Sequence, residues 1–190
     1  VGGSCARAHI ESSDEQNMLL DTAGEFCKSN ASMDLVRSSI ATDTGIEPET
    51  WKEIAGLGWL GIIVPEEFGG LGLALSDVVP IVESMGRHLM SAPYCSTMMA
   101  TQAIVSSGNS KQKSRWLPKI VEGDVGTVAL TEVDGSWNLD EVECQGREEG
   151  EGIRLQGVKC FVQDLAMAKW VVVSAKIEGA TRLMVLDMTK

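Results

Sequence analysis

The sequence predicts an α+β protein, helical up to about Gly123 and strand-rich after it. Three observations carry this. The apolar residues recur at helical spacing in the first part. They form short β-branched and aromatic runs in the second. The strands follow the helices as a block rather than alternating with them, which excludes a βαβ sheet and leaves either an α+β fold or two domains. With 190 residues and a prior of about 150 per domain, residues 1–123 form a helical unit and 124–190 a sheet unit.

Ser13-Asp14-Glu15-Gln16 has the form of a capping box, in which Ser13 caps and Gln16 bonds back. Leu19, Ala23, Phe26 and Cys27 then share one helix face, ending near Ser29. The polar stretch from Asn30 to Ile46 reads as a loop with at most a short helix. Pro48 opens the next helix, where its missing N–H is harmless, with Trp51, Ile54 and Ala55 facing inward and Gly56 and Gly58 helping to end it. Glycines crowd the stretch from Gly56 to Gly72 around Pro65-Glu66-Glu67-Phe68 and break regular structure. Ser76 or Asp77 caps an amphipathic helix built on Val78, Ile81, Val82, Met85 and Leu89, with Pro80 in its first turn. Tyr94–Ser106 is a further helix. A last one starts at Asn109 or Ser110 and buries Trp116, Leu117, Ile120 and Val121, with Pro118 as a kink.

Strands are predicted at Val125–Leu130, Val158–Val162, Trp170–Ala175 and Leu183–Leu186, the last two joined by a turn at Glu178-Gly179. Glu141–Arg147 and Ile153–Leu155 flank an acidic hairpin tip, Glu148-Glu149-Gly150-Glu151-Gly152. No repeat or low-complexity tract interrupts the chain.

Charge narrows the function classes. The net charge is −11, with nine basic against fifteen acidic residues up to Gly123 and seven against twelve after it. Neither part is a basic module, so nucleic acid is excluded as a partner. Cys5, Cys27, Cys95, Cys144 and Cys160 are odd in number and form no C-x-x-C, so they read as reduced thiols of an intracellular protein. His9 and His88 lack ligand spacing, so no metal site is expected. Trp59–Val64 and Trp170–Val173 are too short to span a bilayer. The chain opens on Val1 rather than methionine, consistent with a trimmed N-terminus and a lost targeting segment.

Chemistry-bearing patterns are scarce. The chain has no G-x-G-x-x-G, P-loop or G-x-S-x-G, and two histidines offer no Ser-His-Asp set. Thr131-Glu132-Val133-Asp134-Gly135-Ser136 follows a predicted strand and offers hydroxyls and N–H groups to a phosphate or heterocycle edge; an ordinary polar turn is the alternative. Phe161 either stacks on a flat ligand or packs in the core. Glu66-Glu67 reads as a solvated pair rather than a catalytic one, and Met98-Met99 as core packing rather than a ligand contact.

Five stretches in order, however, resemble the acyl-CoA dehydrogenase family: WKEIAGLGWLGIIVPEEFGGLGL (Trp51–Leu73), VESMGRHL (Val82–Leu89), GNSKQKSRWLPKIVEG (Gly108–Gly123), ALTEVDGS (Ala129–Ser136) and LQGVKCFVQDLAMAKWVVV (Leu155–Val173). The resemblance runs from about Asp14 to the end. It implies an all-α N-terminal domain followed by an antiparallel β-barrel middle domain, here incomplete at Lys190. The family's C-terminal helical domain, which carries the catalytic glutamate, would lie beyond. No carboxylate of this chain matches that base, so no catalytic residue is assigned and the 190 residues alone are expected to be inactive. The open barrel is expected to leave strand edges and apolar surface that make the isolated chain aggregate or depend on a partner.

The implied activity is FAD-dependent α,β-dehydrogenation of an acyl-CoA thioester to a trans-2-enoyl-CoA, as in fatty-acid β-oxidation. Hydride passes to the flavin, and electrons pass on to electron-transfer flavoprotein. The longer form is expected to be a homo- or hetero-oligomer in the cytoplasm, or in the mitochondrial matrix of a eukaryote. The alternatives are a non-catalytic family member serving as partner subunit, or an acyl-CoA oxidase-like flavoprotein. By resemblance, Val128, Leu130 and Thr131 meet the flavin ring, Leu130 and Thr131 through backbone and hydroxyl. Ser136 lies near the FAD pyrophosphate and the acyl-CoA. Phe161, Val162 and Gln163 stand beside the isoalloxazine where the family commonly has Trp-Ile-Thr. Val133 replaces the usual proline, in a turn one residue short.

Overall fold

The computed structural model describes residues 13–150 and 152–189. The expectations placed on Val1, Cys5, His9 and Glu151 lie outside the described residues. Six helices precede the sheet among those described: α1 (Asp14–Asn30), α2 (Met33–Ile40), α3 (Pro48–Gly56), α4 (Val79–Arg87), α5 (Tyr94–Ser107) and α6 (Ser110–Val121). The strands are β1 (Gly126–Ala129), β2 (Gln145–Glu149), β3 (Gly152–Gln156), β4 (Trp170–Ile177) and β5 (Ala180–Asp187).

Three of these helices, α1, α2 and α6, begin where a side chain satisfies one of the first free N–H groups. Ser13 Oγ accepts from Gln16 N at 3.1 Å while Gln16 Oε1 accepts from Ser13 N, the expected capping box. Asn109 and Gln112 repeat it at the start of α6. That helix runs through Pro118 to Val121. The loop expected over residues 30–46 contains the short helix α2, capped by Ser32. Between α3 and α4, residues 61–64 are buried and the glycine-rich segment folds back on them, with Leu71 N donating to Gly61 O and Leu73 N to Ile62 O. The core joins α1, α3, α4, α5 and α6 around Trp51, Ile54, Trp59, Leu60, Ile81, Tyr94 and Leu117. Phe26 meets Trp59 edge-on at 5.2 Å between ring centroids.

The sheet is mixed rather than wholly antiparallel. β4 pairs in parallel with β1 along Gly126↔Trp170 to Ala129↔Val173, and in parallel with β2 at Gln145↔Lys176. The β2–β3 and β4–β5 pairs are antiparallel hairpins. The parallel pairs arise because the long connection from β1 to β4 returns the chain in the direction it left. Ile177 and Ala180 close the second hairpin over Glu178 and Gly179, both at positive φ, as the sequence predicts.

The strand expected at Val158–Val162 does not form. Phe161 and Asp164 sit at φ 56° and 52°, which no β-strand can accommodate. The segment's polar groups are satisfied otherwise: Cys160 N donates to Thr131 O, and Cys160 O and Gln163 O accept from the hydroxyls of Thr131 and Thr127.

Helices and sheet share one core. Trp170 and Val172 of β4 face α5 and α6 and join the helical cluster. Trp170 lies over Gly126, where any Cβ would overlap the indole, so glycine lets the ring cross β1. The Thr97 hydroxyl on α5 donates to Pro93 O at 2.6 Å and accepts from Gly126 N at 3.3 Å, and Trp51 Nε1 donates to Gly123 O at 2.8 Å. These bonds fix the start of β1 against the helices. No described helix is long and apolar enough to cross a membrane.

Candidate functional site

Where β1 ends, the chain leaves the sheet as Leu130-Thr131-Glu132, and the loop before β4 passes alongside. A cleft of about 200 Å³ opens between them, lined by Thr127, Val128, Leu130, Thr131, Trp137, Phe161 and Gln163, and closed by Ser96 and Met99 of α5. The two walls are stitched together by threonines. Thr131 Oγ1 donates to Cys160 O at 2.7 Å and Thr131 O accepts from Cys160 N at 3.0 Å. Thr127 Oγ1 donates to Gln163 O at 2.7 Å. Helix α5 is tied to the same loop where Ser96 Oγ donates to Asp164.

Of the residues singled out in the sequence, Val128, Leu130, Thr131, Phe161 and Gln163 converge on this cleft. Val162 does not. Its side chain packs with Ala129, Val171 and Val173 on the opposite side of the sheet. Ser136 is not among the lining residues; its hydroxyl donates to Glu141 and accepts from Asn138 N within its own turn. Phe161 is 80% exposed at the cleft, so the core alternative for it falls. The methionine pair divides, Met98 entering the core and Met99 facing the cleft. Glu66 and Glu67 are exposed on a 3-10 turn elsewhere in the molecule.

Ser96, Thr127 and Trp137 were not singled out. Thr127 and Ser96 sit inside regular elements whose pattern shows only structure. Trp137 did leave a signal, a large aromatic in a polar turn, and it is largely exposed beside the cleft.

The lining suits a flat, partly polar ring. Val128, Leu130, Met99, Phe161 and Trp137 offer apolar and aromatic surface. The Leu130–Thr131 peptide lies past the last ladder pair of β1 and can present polar groups to the ring's edge. None of the lining residues is a carboxylate.

Residues 13–124 match the family model described as acyl-CoA dehydrogenase, N-terminal domain. The chain is 32% identical over 136 residues to acyl-CoA dehydrogenase FadE12 of Mycobacterium tuberculosis, covering 70% of this chain and 35% of that protein. In three dimensions it superposes on a variant of the Tcur3481–Tcur3483 steroid ACAD with TM-score 0.85 and 31% identity, over 92% of this chain and 48% of the other. It also superposes on an acyl-CoA dehydrogenase of Bacillus anthracis complexed with FAD, with TM-score 0.80 and 26% identity, over 94% of this chain and 32% of that one. It thus spans about a third of the length of FadE12 and about half of the steroid ACAD chain. The matched helical region, with the sheet and cleft that follow it in the same superposition, places the chain in the acyl-CoA dehydrogenase family.

Proposed function

We propose that this chain supplies the helical support and one wall of the flavin site in a FAD-dependent acyl-CoA dehydrogenase, which converts an acyl-CoA thioester to its trans-2-enoyl-CoA. The observation that carries this is the convergence of Val128, Leu130, Thr131, Phe161 and Gln163 on one cleft. They come from two segments about thirty residues apart in sequence.

In this reading Leu130 and Thr131 hold the polar edge of the isoalloxazine and Phe161 covers its face. Donors fixed at that edge stabilise negative charge gained on reduction. The Thr131 hydroxyl proton is committed to Cys160 O, so its oxygen meets a ligand as an acceptor. Ser136, held by Glu141 and Asn138 next to the cleft residue Trp137, is the residue assigned to the pyrophosphate and the acyl-CoA. Met99 and Ser96 form the floor on which an acyl group could rest beside the ring. FAD, when bound, supplies the acceptor for the hydride leaving the acyl β-carbon. The α-proton requires a base within hydrogen-bond reach, and this lining supplies none. Electron-transfer flavoprotein is the proposed acceptor, and a homo- or hetero-oligomer the proposed assembly.

The test is to purify the protein carrying this chain, measure its FAD content, and add acyl-CoA thioesters without oxygen. Stoichiometric FAD whose visible absorbance bleaches on thioester addition is the expected result. Failure to bind FAD in any form would overturn it and favour a non-catalytic partner subunit. Rapid peroxide formation in air would reassign it as an oxidase.

A further inference from the structure

Where the chain leaves β1 and passes Ser174 of β4, a buried polar cluster adjoins the cleft. Glu132 is 9% exposed and Ser174 fully buried. Lys159 Nζ reaches Glu132 Oε1 at 2.8 Å, Ser174 Oγ at 2.8 Å and Leu130 O at 3.2 Å, which uses its three protons. Glu132 also accepts from Cys144 N at 2.8 Å and Glu143 N at 2.7 Å. Ser174 Oγ, accepting from the ammonium, donates to the same Leu130 O at 3.2 Å. Gly157 makes the approach possible: a Cβ there would stand 2.8 Å from the Cys144 backbone. Desolvation pushes the Glu132 carboxyl up, but the Lys159 hydrogen bond, the two backbone N–H groups and the Lys159 charge outweigh it and hold it below the ordinary carboxylate value.

A buried ion pair seldom adds stability over well-packed apolar residues, so its placement calls for another explanation. The carbonyl of Leu130 belongs to the peptide whose N–H is that of Thr131, at the cleft wall. A carbonyl that accepts from an ammonium and a hydroxyl is polarised, and its own N–H becomes the stronger donor. Lys159 is also next to Cys160, whose backbone is bonded twice to Thr131. The cluster therefore governs both the charge distribution and the spacing of the two walls.

We propose that Lys159, held by Glu132 and Ser174, is a positioning residue that polarises the Leu130–Thr131 peptide toward the cleft and so sets the reduction potential of the flavin bound there. The proposal rests on the flavin reading above. An uncompensated cation would favour the reduced ring and an uncompensated anion the oxidised one.

The experiment is a dye-equilibrated reductive titration of the FAD-loaded protein as purified, comparing wild type with Lys159→Met, Glu132→Gln, Lys159→Arg and the double Glu132→Gln/Lys159→Met. Lys159→Met is expected to lower the reduced-to-oxidised ratio at fixed potential by roughly tenfold, and Glu132→Gln to raise it by a similar factor. Lys159→Arg should stay near wild type. The double variant leaves no unpaired charge and carries the test where a single variant does not fold. It should fall below wild type by less than Lys159→Met. Shifts of the same sign in both single variants, or a double variant with the wild-type potential, would show a purely structural pair and overturn the proposal. Absence of flavin from wild type overturns the flavin reading and this proposal together, whereas a loaded wild type with unresponsive variants overturns this one alone.

Discussion

The two faces of β4 are made from adjacent residues and meet different surroundings. Trp170 and Val172 point at α5 and α6 and join a core running through the whole helical region. Val171 and Val173 point the other way and meet Ala129, with Leu155, Val162 and Leu186 only partly covered around them. A largely apolar groove of about 230 Å³ lies over that second face, bounded by Leu155, Val162, Leu165, Leu186 and Met188. Strand alternation sorts one valine-rich run into a packed face and an open one. The packed face anchors the sheet to the helices. The buried polar cluster and the candidate site both lie where β1 stops, meeting at Leu130.

The sharpest way to break this contrast is at the packed face. Trp170 is fully buried and its ring stands 6.0 Å from that of Trp116 on α6. Trp170→Ala is expected to cost about 3–5 kcal/mol, read as a lower urea midpoint with the helical circular-dichroism signal melting together with the sheet. If the helices melted unchanged while the sheet was lost, the shared core would be disproved. Gly126→Val should come next, at about 1–3 kcal/mol from overpacking against the indole. The double variant Gly126→Val/Trp170→Ala should recover part of that loss, because the clash is with the removed ring.

The same contrast shows where the sequence is legible. The capping box at Ser13, the start of α6 at Asn109 or Ser110, and the hairpin turn at Glu178-Gly179 are readable because their chemistry is local. The mixed pairing is not. Whether Gly126–Ala129 runs along or against Trp170–Val173 depends on how the intervening chain returns, which no periodicity records. The segment Val158–Val162 looks like a strand by composition, yet Phe161 turns out at positive φ and threonine hydroxyls replace the ladder. At the candidate cleft, chemistry alone leaves Thr131 and Phe161 with bland alternatives, and it is the family resemblance that singles them out together with Leu130. Val162 comes with them only by adjacency: the side chains still alternate along this segment, so Phe161 and Gln163 meet the cleft and Val162 the other side. The pairing of Lys159 with Glu132 is invisible in the sequence, since a lysine and a glutamate 27 positions apart read as two surface charges until the fold buries them together.

A smaller effect sharpens the comparison along the strand itself. Val172→Ala empties space in the packed core, whereas Val173→Ala adjoins a groove whose walls are already part-open. Both remove two methyl groups, and at about 0.8 kcal/mol each the transfer loss is similar. The cavity penalty differs, so Val172→Ala should cost about 1 kcal/mol more than Val173→Ala. Equal losses in chemical denaturation would mean that the open face is as tightly packed in solution as the helical one.

The last difference is in response to acid. Glu132 is the carboxylate of the buried polar cluster, and its folded-state pKa lies below its unfolded one, because the favourable bonds from Lys159, Cys144 N and Glu143 N outweigh desolvation. A group of this kind binds fewer protons folded than unfolded. Its contribution is complete above the unfolded carboxylate pKa and drains away as pH falls through the folded value. The melting temperature should therefore fall in that acid window, and Glu132→Gln, already neutral, should flatten the fall while lowering the plateau at neutral pH. Protonation of Glu132 also leaves Lys159 charged without its counter-ion, so acid should loosen the Leu130–Thr131 and Lys159–Cys160 segments before it reaches Trp170. Hydrogen exchange followed from neutral to acid pH would show this as early loss of protection at Cys160 N and Cys144 N, with the β4 amides facing β1 still protected. Simultaneous loss at both places would mean that the cluster and the packed face unfold as one, and that the polar cluster is no more labile than the core.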